Sequence, residues 1–310
     1  MSKIAVLFPG QGSQTGGRGR DFYDTYPRAR GVFEEVDRAL NEPLSKLCFE
    51  GPQEELQLTA NTQPGLLAVS IAIWSLLQEA ITPAFLAGHS LGEYTALAAA
   101  GAFRFTDAIR LVRKRGEFMQ EAVPVGEGAM LAVLGAEPEK VFSLCEQAAE
   151  GMVLSPANFN SPGQIVIAGH AEAIRRAAEL APKLGIRRVI PLAVSAPFHC
   201  ELMKPAQDKM IPLLKDQVFH PLRIPVITNV DASIIRSAEA ARDALIRQIP
   251  NPVRWWQSIE LLIQEGVDIF IEVGPGKVLT GLVRKISKEV QVYNVESVQD
   301  YEQLRAKYQS

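Results

Sequence analysis

Cysteine is scarce in this chain of 310 residues. Cys48, Cys145 and Cys200 are odd in number and show no CxxC spacing, so neither a disulfide framework nor a zinc site is indicated, and a reduced, cytoplasmic setting is expected. Excess charge is missing as well. The 32 Lys and Arg against 35 Asp and Glu leave a net charge of −3, which offers no electrostatic footprint for nucleic acid. Long apolar runs are absent too. The opening MSKIAVLFPG has one lysine and five apolar residues before Pro9, too few for a secretion signal. The most apolar stretch, Leu66 to Leu77, is interrupted by Ser70 and Ser75 and reads as a core helix, too short to span a bilayer. Repeats and low-complexity tracts are also lacking. What remains is an ordinary globular composition, 47% hydrophobic and 22% charged, in a chain long enough for one large domain with an insertion.

Strands and helices alternate. KIAVLF (3–8), AFLAG (84–88), IPVITNV (224–230) and DIFIEVG (268–274) are short apolar runs ended by Gly, Pro or Asn. Helical patterns at 64–80, 106–122, 235–249 and 255–265 lie between them. Such uninterrupted apolar strands with helical crossovers indicate a parallel sheet covered on both faces. From about 128 to 195 the order changes to strand 129–135, helix 137–149, strand 152–157, strand 164–168, helix 170–184 and strand 187–193. This β-α-β-β-α-β order is ferredoxin-like. The expected fold is therefore a large α/β-hydrolase-like domain, residues 1–127 and 196–310, carrying an inserted small ferredoxin-like α+β domain, residues 128–195.

Gly88-His89-Ser90-Leu91-Gly92 fits G-x-S-x-G between a strand and the helix-forming run EYTALAAA, closed by Gly101. A strand-to-helix turn this sharp crowds backbone on backbone, which glycines tolerate, and it lifts the serine hydroxyl over a helix N-terminus. Ser90 is accordingly a candidate nucleophile; the competing reading is a helix N-cap. A serine needs a base. Of the four histidines, His89 adjoins the serine and the turn should point it away. His170 falls in the insertion and His220 precedes Pro221. His199, in SAPFHCELM just after the second domain crossing, is the candidate, with a structural loop histidine as the alternative. No acid stands close before it in IRRVIPLAVSAPF, so a Ser-His dyad oriented by a backbone or amide group is expected rather than a triad.

Two further features bear on chemistry. FPGQGSQTGGRGR follows the first strand but fails both nucleotide-loop patterns, because Thr15, Arg18 and Gly19 occupy positions reserved for Gly, Lys and Ser/Thr. A backbone N–H from this loop, together with that of Leu91, is suited to an oxyanion hole; a plain surface loop is the alternative. In TDAIRLVRKRGEFMQEA, Thr106 is the expected N-cap. Leu111, Val112, Phe118 and Met119 define the buried face, with Arg110, Arg113 and Lys114 on the solvated side. Arg115 shares the apolar stripe. It needs an anionic partner there or must snorkel, and its fork suits a bound carboxylate; the alternatives are an internal salt bridge or a helix that ends at Gly116.

Taken together, FPGQGSQ (8–14), GHSLGEYTAL (88–97), RG (115–116), NFNSPGQIVIAG (158–169), PFH (197–199), QIPNPVRW (248–255) and EVGPGKVLTGL (272–282) run almost end to end. In these blocks the chain resembles the malonyl-CoA:acyl carrier protein transacylases, the acyltransferase family of fatty acid and polyketide synthesis. The resemblance implies Ser90 as the acyl-carrying nucleophile, His199 as its base, and backbone N–H groups of Gln11 and Leu91 as the oxyanion hole. It further implies Arg115 as the malonyl carboxylate clamp and the Gln248 carbonyl as the group orienting His199. By the same resemblance Asn160 matches a position near the substrate cleft, and Phe198 before the histidine is what malonyl-type members carry. Ping-pong transfer from malonyl-CoA to the phosphopantetheine of an acyl carrier protein follows, with no cofactor or metal, no nucleic acid or membrane partner, and a monomer as the default. The alternative is an acyl hydrolase using the same dyad.

Overall fold

The computed structural model describes residues 2–12 and 17–309; residues 13–16 of the glycine-rich loop lie outside the described residues. The first strand shows how the interior is organised. Every residue of β1 (Ile4–Phe8) is buried. Successive side chains alternate in a strand, so Ile4, Val6 and Phe8 enter one apolar cluster while Ala5 and Leu7 enter another on the opposite face. The remaining strands are β2 (Phe85–Gly88), β3 (Gly128–Leu134), β4 (Leu154–Ser161), β5 (Gln164–His170), β6 (Arg188–Pro191), β7 (Val226–Ile227), β8 (Ile234–Ile235), β9 (Ile269–Val273) and β10 (Gln291–Val295).

The larger sheet has the order β10-β9-β1-β2-β7-β8. Its first five strands are parallel and β8 pairs antiparallel to β7. The fold is thus mixed α/β with a largely parallel sheet. All four strands expected from the apolar runs lie in it, but the third is only Val226–Ile227 long. It stops there because the Thr228 N–H donates to the Ser233 carbonyl at 2.9 Å and turns the chain back into β8. Strands β8 and β10 have weaker apolar patterns and escaped the sequence reading; both sit at sheet edges.

The second sheet, β4-β5-β3-β6, is antiparallel and built wholly from residues 128–191. The helices Pro138–Ala149 and Ala171–Leu180 cover one face and enclose Leu131, Val133, Val141, Leu144, Ile165 and Ile167. From the other face Met130, Ala132, Val166 and Ala168 join the main cluster. The last part of β4 is tied to the larger unit, since Phe159 N–H donates to the Val253 carbonyl and Val253 N–H to that of Ala157, each at 2.9 Å.

The apolar helix spans Thr59–Leu77 and is buried along almost its whole length. It begins earlier than the apolar pattern suggested, and Pro64 lies inside it. Proline has no N–H, so the Ala60 carbonyl four residues back loses its helical donor. Arg113 replaces it: Nη1 donates to that carbonyl at 2.9 Å, and Nη2 reaches Glu42 at 2.7 Å. This is why Arg113 is buried rather than solvated as its position on the helix suggested. That second helix runs Phe105–Glu121; its N-cap position is Arg104, without a side-chain cap, and Thr106 is already helical. It continues past Gly116, where a Cβ would lie 2.7 Å from the Thr59 carbonyl oxygen, so glycine permits the close approach of the two helices.

Glycine is needed most strictly at Gly88, where a Cβ would fall 1.9 Å from the Gly92 backbone. Gly88→Ala is expected to cost about 3 kcal/mol or more, or to prevent folding. Gly281 lies within the helix Val278–Ile286 with nothing within 4 Å of its missing Cβ. Gly281→Ala is expected to stabilise by about 0.5–1 kcal/mol, through helix propensity. Denaturant unfolding of the two variants measures both.

Candidate active site

The register of β1 and β2 pairs Phe8 with Gly88, so the loops leaving both strands emerge side by side at the carboxyl edge of the sheet. One loop carries Gln11 and the other turns at Ser90 into the helix Leu91–Ala100, capped by Gly101 in the left-handed conformation. Ser90 itself adopts φ 53° and ψ −110°. For a serine this is strained, at a cost of roughly 1–3 kcal/mol. The helix is pressed onto β1: a Cβ at Gly92 would lie 2.1 Å from the Phe8 carbonyl oxygen. Leu91 opens the helix, so its N–H is among the four that lack an intrahelical acceptor.

Ser90 Oγ is 2.7 Å from His199 Nε2 and receives a hydrogen bond from Arg115 Nη2 at 3.1 Å. The proton positions follow from donor chemistry. A guanidinium only donates, so the hydroxyl accepts from Arg115 and directs its own hydrogen at His199. Nε2 must then be the unprotonated nitrogen, and Nδ1 carries the hydrogen that meets the Gln248 carbonyl at 3.1 Å. Burial, reinforced by the Arg115 charge, holds the imidazolium down to about 3, so the ring is neutral across the ordinary pH range and Nε2 is open as a proton acceptor.

Arg115 is almost fully buried, at 1% exposure. Nη1 donates to Gln63 Oε1 at 2.8 Å and Nη2 to Gln248 Oε1 at 2.9 Å. The guanidinium also lies over the Tyr94 ring, 5.5 Å from its centroid. Its Nε is buried without a hydrogen-bond partner, and no carboxylate among the described residues pairs with it directly. The Gln248 amide bridges it to Glu93, donating from Nε2 to Oε2 at 2.7 Å. Desolvation drives the fully buried Glu93 carboxyl up from 4.5 to about 7, against the pull of Gln248, Asn229 and Arg115.

These groups open onto a cavity of about 410 Å³. Ser90, His199, Arg115, Gln11, Leu91, Asn160 and Phe198 all line it, and Gln248 stands behind. The second sheet supplies the facing wall through Met130, Ala132 and Val166. His89 is engaged away from the serine hydroxyl, with Nε2 2.8 Å from Asn160 Oδ1 and its ring against Trp255, yet it also lines the cavity. Sequence reading also missed Gln63, Glu93 and Asn229. Glu93 had a visible signal, a lone charge in the apolar helix LGEYTALAAA; Gln63 and Asn229 had none. Chemically, the arrangement holds an alcohol between a neutral base and a buried cation, beneath a helix N-terminus. That suits acyl transfer with an anionic acyl group.

The match to other proteins agrees with this chemistry. A family model described as an acyl transferase domain fits residues 6–304. The chain belongs to the acyl transferase family. A curated relative from Bacillus subtilis, named malonyl CoA-acyl carrier protein transacylase, is 50% identical over 304 residues, 97% of this chain and 96% of its own. A solved acyl carrier protein S-malonyltransferase from Vibrio cholerae is 47% identical, with a TM-score of 0.95 over 98% of this acyltransferase and all of its own chain. A malonyl-transacylase solved in complex with a type II polyketide synthase acyl carrier protein is 46% identical, with a TM-score of 0.96 over 99% and 100% of the two chains.

The raised Glu93 carboxyl gives this acyltransferase a pH signature. A folded-state value above the unfolded one means the stabilising contribution is full below about pH 4.5 and is lost as pH rises through about 7. Glu93→Gln keeps the acceptor oxygen and removes the titration. Its melting temperature should rise relative to that of the parent between about pH 4.5 and 7 and then level off. Differential scanning calorimetry across that range checks it, and the His199 contribution is common to both proteins and cancels.

Proposed function

We propose that this acyltransferase moves the malonyl group from malonyl-CoA to the phosphopantetheine thiol of an acyl carrier protein, by way of a malonyl ester on Ser90. The observation that carries the reading is the placement of Ser90 Oγ between His199 Nε2 at 2.7 Å and the buried Arg115 guanidinium at 3.1 Å. A hydrolase of neutral acyl chains gains nothing from a cation that costs several kcal/mol to bury. A carboxylate arriving at Arg115 brings the counter-charge that its neutral neighbours lack, and repays that cost.

The steps use the chain's own groups. His199 Nε2 takes the Ser90 proton as Oγ attacks the malonyl thioester carbon. The oxyanion of the tetrahedral intermediate is held by the N–H groups of Gln11 and Leu91. The C–S bond breaks, CoA leaves as the thiol with the proton from His199, and malonyl-Ser90 remains. The carrier's thiol then gives its proton to His199, attacks the ester, and returns Ser90 with its hydrogen. Electrons and protons balance without a metal or redox cofactor. The Gln248 carbonyl holds the His199 tautomer, Arg115 holds the malonyl carboxylate, and Asn160 and Phe198 shape the wall beside it.

Residues 1–127 and 196–310 are the proposed large unit, α/β-hydrolase-like in carrying its nucleophile on a strand-to-helix turn above parallel strands. Residues 128–195 are the proposed inserted unit, whose strand order β4-β5-β3-β6 agrees with a ferredoxin-like arrangement. One chain holds every group the steps require, so the proposed working unit is a monomer, acting in the cytoplasm with its carrier protein.

Acid-quenched intact and peptide mass spectrometry after incubation with malonyl-CoA or acetyl-CoA tests this. A malonyl adduct on Ser90 is expected. Arg115→Ala should lower malonyl acylation by about 100-fold or more, the scale of a buried charge-assisted contact, with acetyl acylation lowered far less. CoA release without an adduct would transfer the case to the hydrolase.

A further inference from the structure

The strained turn at Ser90 is permitted by Gly88 and Gly92, but glycines hold nothing in place. What grips it lies outside the cavity lining. Asn229 Oδ1 accepts from the Ser90 N–H at 2.6 Å, and Asn229 Nδ2 donates to the Gly88 carbonyl at 2.7 Å. One side-chain amide thereby bridges the two peptide groups that flank His89. Its orientation is dictated, since an N–H demands the oxygen and a carbonyl demands the nitrogen.

Asn229 is anchored in turn. Its N–H donates to Glu93 Oε2 at 3.2 Å, and its carbonyl accepts from the Arg254 N–H at 2.9 Å. The same Glu93 oxygen accepts from Gln248 Nε2 at 2.7 Å, and that nitrogen also donates to the Ser90 carbonyl at 2.9 Å. Both main-chain groups of Ser90 are therefore tied to residues that converge on one carboxylate, Asn229 through its main-chain N–H and Gln248 through its side chain. Asn229, Glu93 and Gln248 are all buried, at 1% exposure or less. Neither Asn229 nor Glu93 lines the cavity.

We infer that Asn229 and Glu93 are positioning residues: they clamp the Ser90 turn from behind at the torsion that aims Oγ at His199 Nε2, and they set the rate of acylation without touching the acyl donor. The inference rests on Ser90 as the nucleophile of the reaction proposed above. A merely structural amide makes a different prediction. Its loss would lower the melting temperature and leave the turnover of each folded molecule intact. A misaimed nucleophile instead loses rate, on the order of 100-fold for about 1 Å of displacement, while the binding of malonyl-CoA to the unaltered cavity is retained.

Rapid-quench mass spectrometry of Ser90 acylation over a range of malonyl-CoA concentrations separates these. Asn229→Ala and Asn229→Asp are compared with the parent, and Glu93→Gln with Glu93→Ala. Asn229→Asp keeps volume and the acceptor for Ser90 N–H but sets an oxygen against the Gly88 carbonyl. Both Asn229 variants should lose about 10- to 100-fold in maximal acylation rate, with the half-saturating concentration within about threefold of the parent. Glu93→Gln, which retains the acceptor, should recover most of the rate lost in Glu93→Ala. Folded Asn229 variants that acylate at the parental rate, or that lose affinity alone, would overturn the clamp; if Asn229→Ala does not fold, Asn229→Asp decides. A parent protein that carries no acyl group on Ser90 would instead overturn the transferase reading on which the clamp depends.

Discussion

The burial of the Arg115 guanidinium beside Ser90 is the interaction on which the site depends. A cation withdrawn from water needs dipoles or counter-charge around it, and here the direct contacts are neutral: two glutamine oxygens, one hydroxyl and a tyrosine ring. The carboxyl of this network, Glu93, is set one amide away. Had a carboxylate gripped Arg115 directly, the cation would be spent on an internal ion pair. Keeping the carboxylate behind Gln248 leaves the guanidinium stabilised yet available at the cavity. Because Arg115 can only donate, it also dictates the direction of every hydrogen bond from its own Nη2 through Ser90 and His199 to the Gln248 carbonyl.

The larger sheet makes this arrangement possible. Parallel strands end at one edge, and the Phe8–Gly88 register brings the Gln11 loop and the serine turn to neighbouring places along it. Helix packing then supplies the cation. The pairing of Thr59–Leu77 with Phe105–Glu121 is close enough at Gly116 that Gln63 and Arg115 meet. The same contact resolves a defect, since Arg113 satisfies the carbonyl that Pro64 leaves without a donor. Two neighbouring arginines on one helix thus serve separate ends, one repairing backbone and one facing the cavity.

Much of the site was legible because its chemistry imposes local patterns. G-x-S-x-G is a steric requirement of the turn, written in consecutive residues. Arg115 stood out as a charge on an apolar stripe, and the lack of an acid before His199 agreed with a main-chain carbonyl at Nδ1. The same reasoning placed Arg113 wrongly. Helical periodicity reports which side of a helix a residue occupies, not whether the neighbouring helix contains a proline. The place of His89 in the cavity wall was not legible either, because Asn160 comes from β4, 71 residues away, to meet it.

Sequence alone determined the alternation of strands and helices, the parallel character of the larger sheet, the serine turn and the four-stranded segment, because each rests on periodicity or on contacts between near neighbours. Tertiary structure alone decided the network behind the serine. Glu93, Asn229 and Gln248 are separated by 136 and 155 residues from Glu93 to its two partners, and no local pattern records that their side chains converge. Local sterics specify a turn from within itself; the torsion at which that turn is held comes from groups brought to it by the fold.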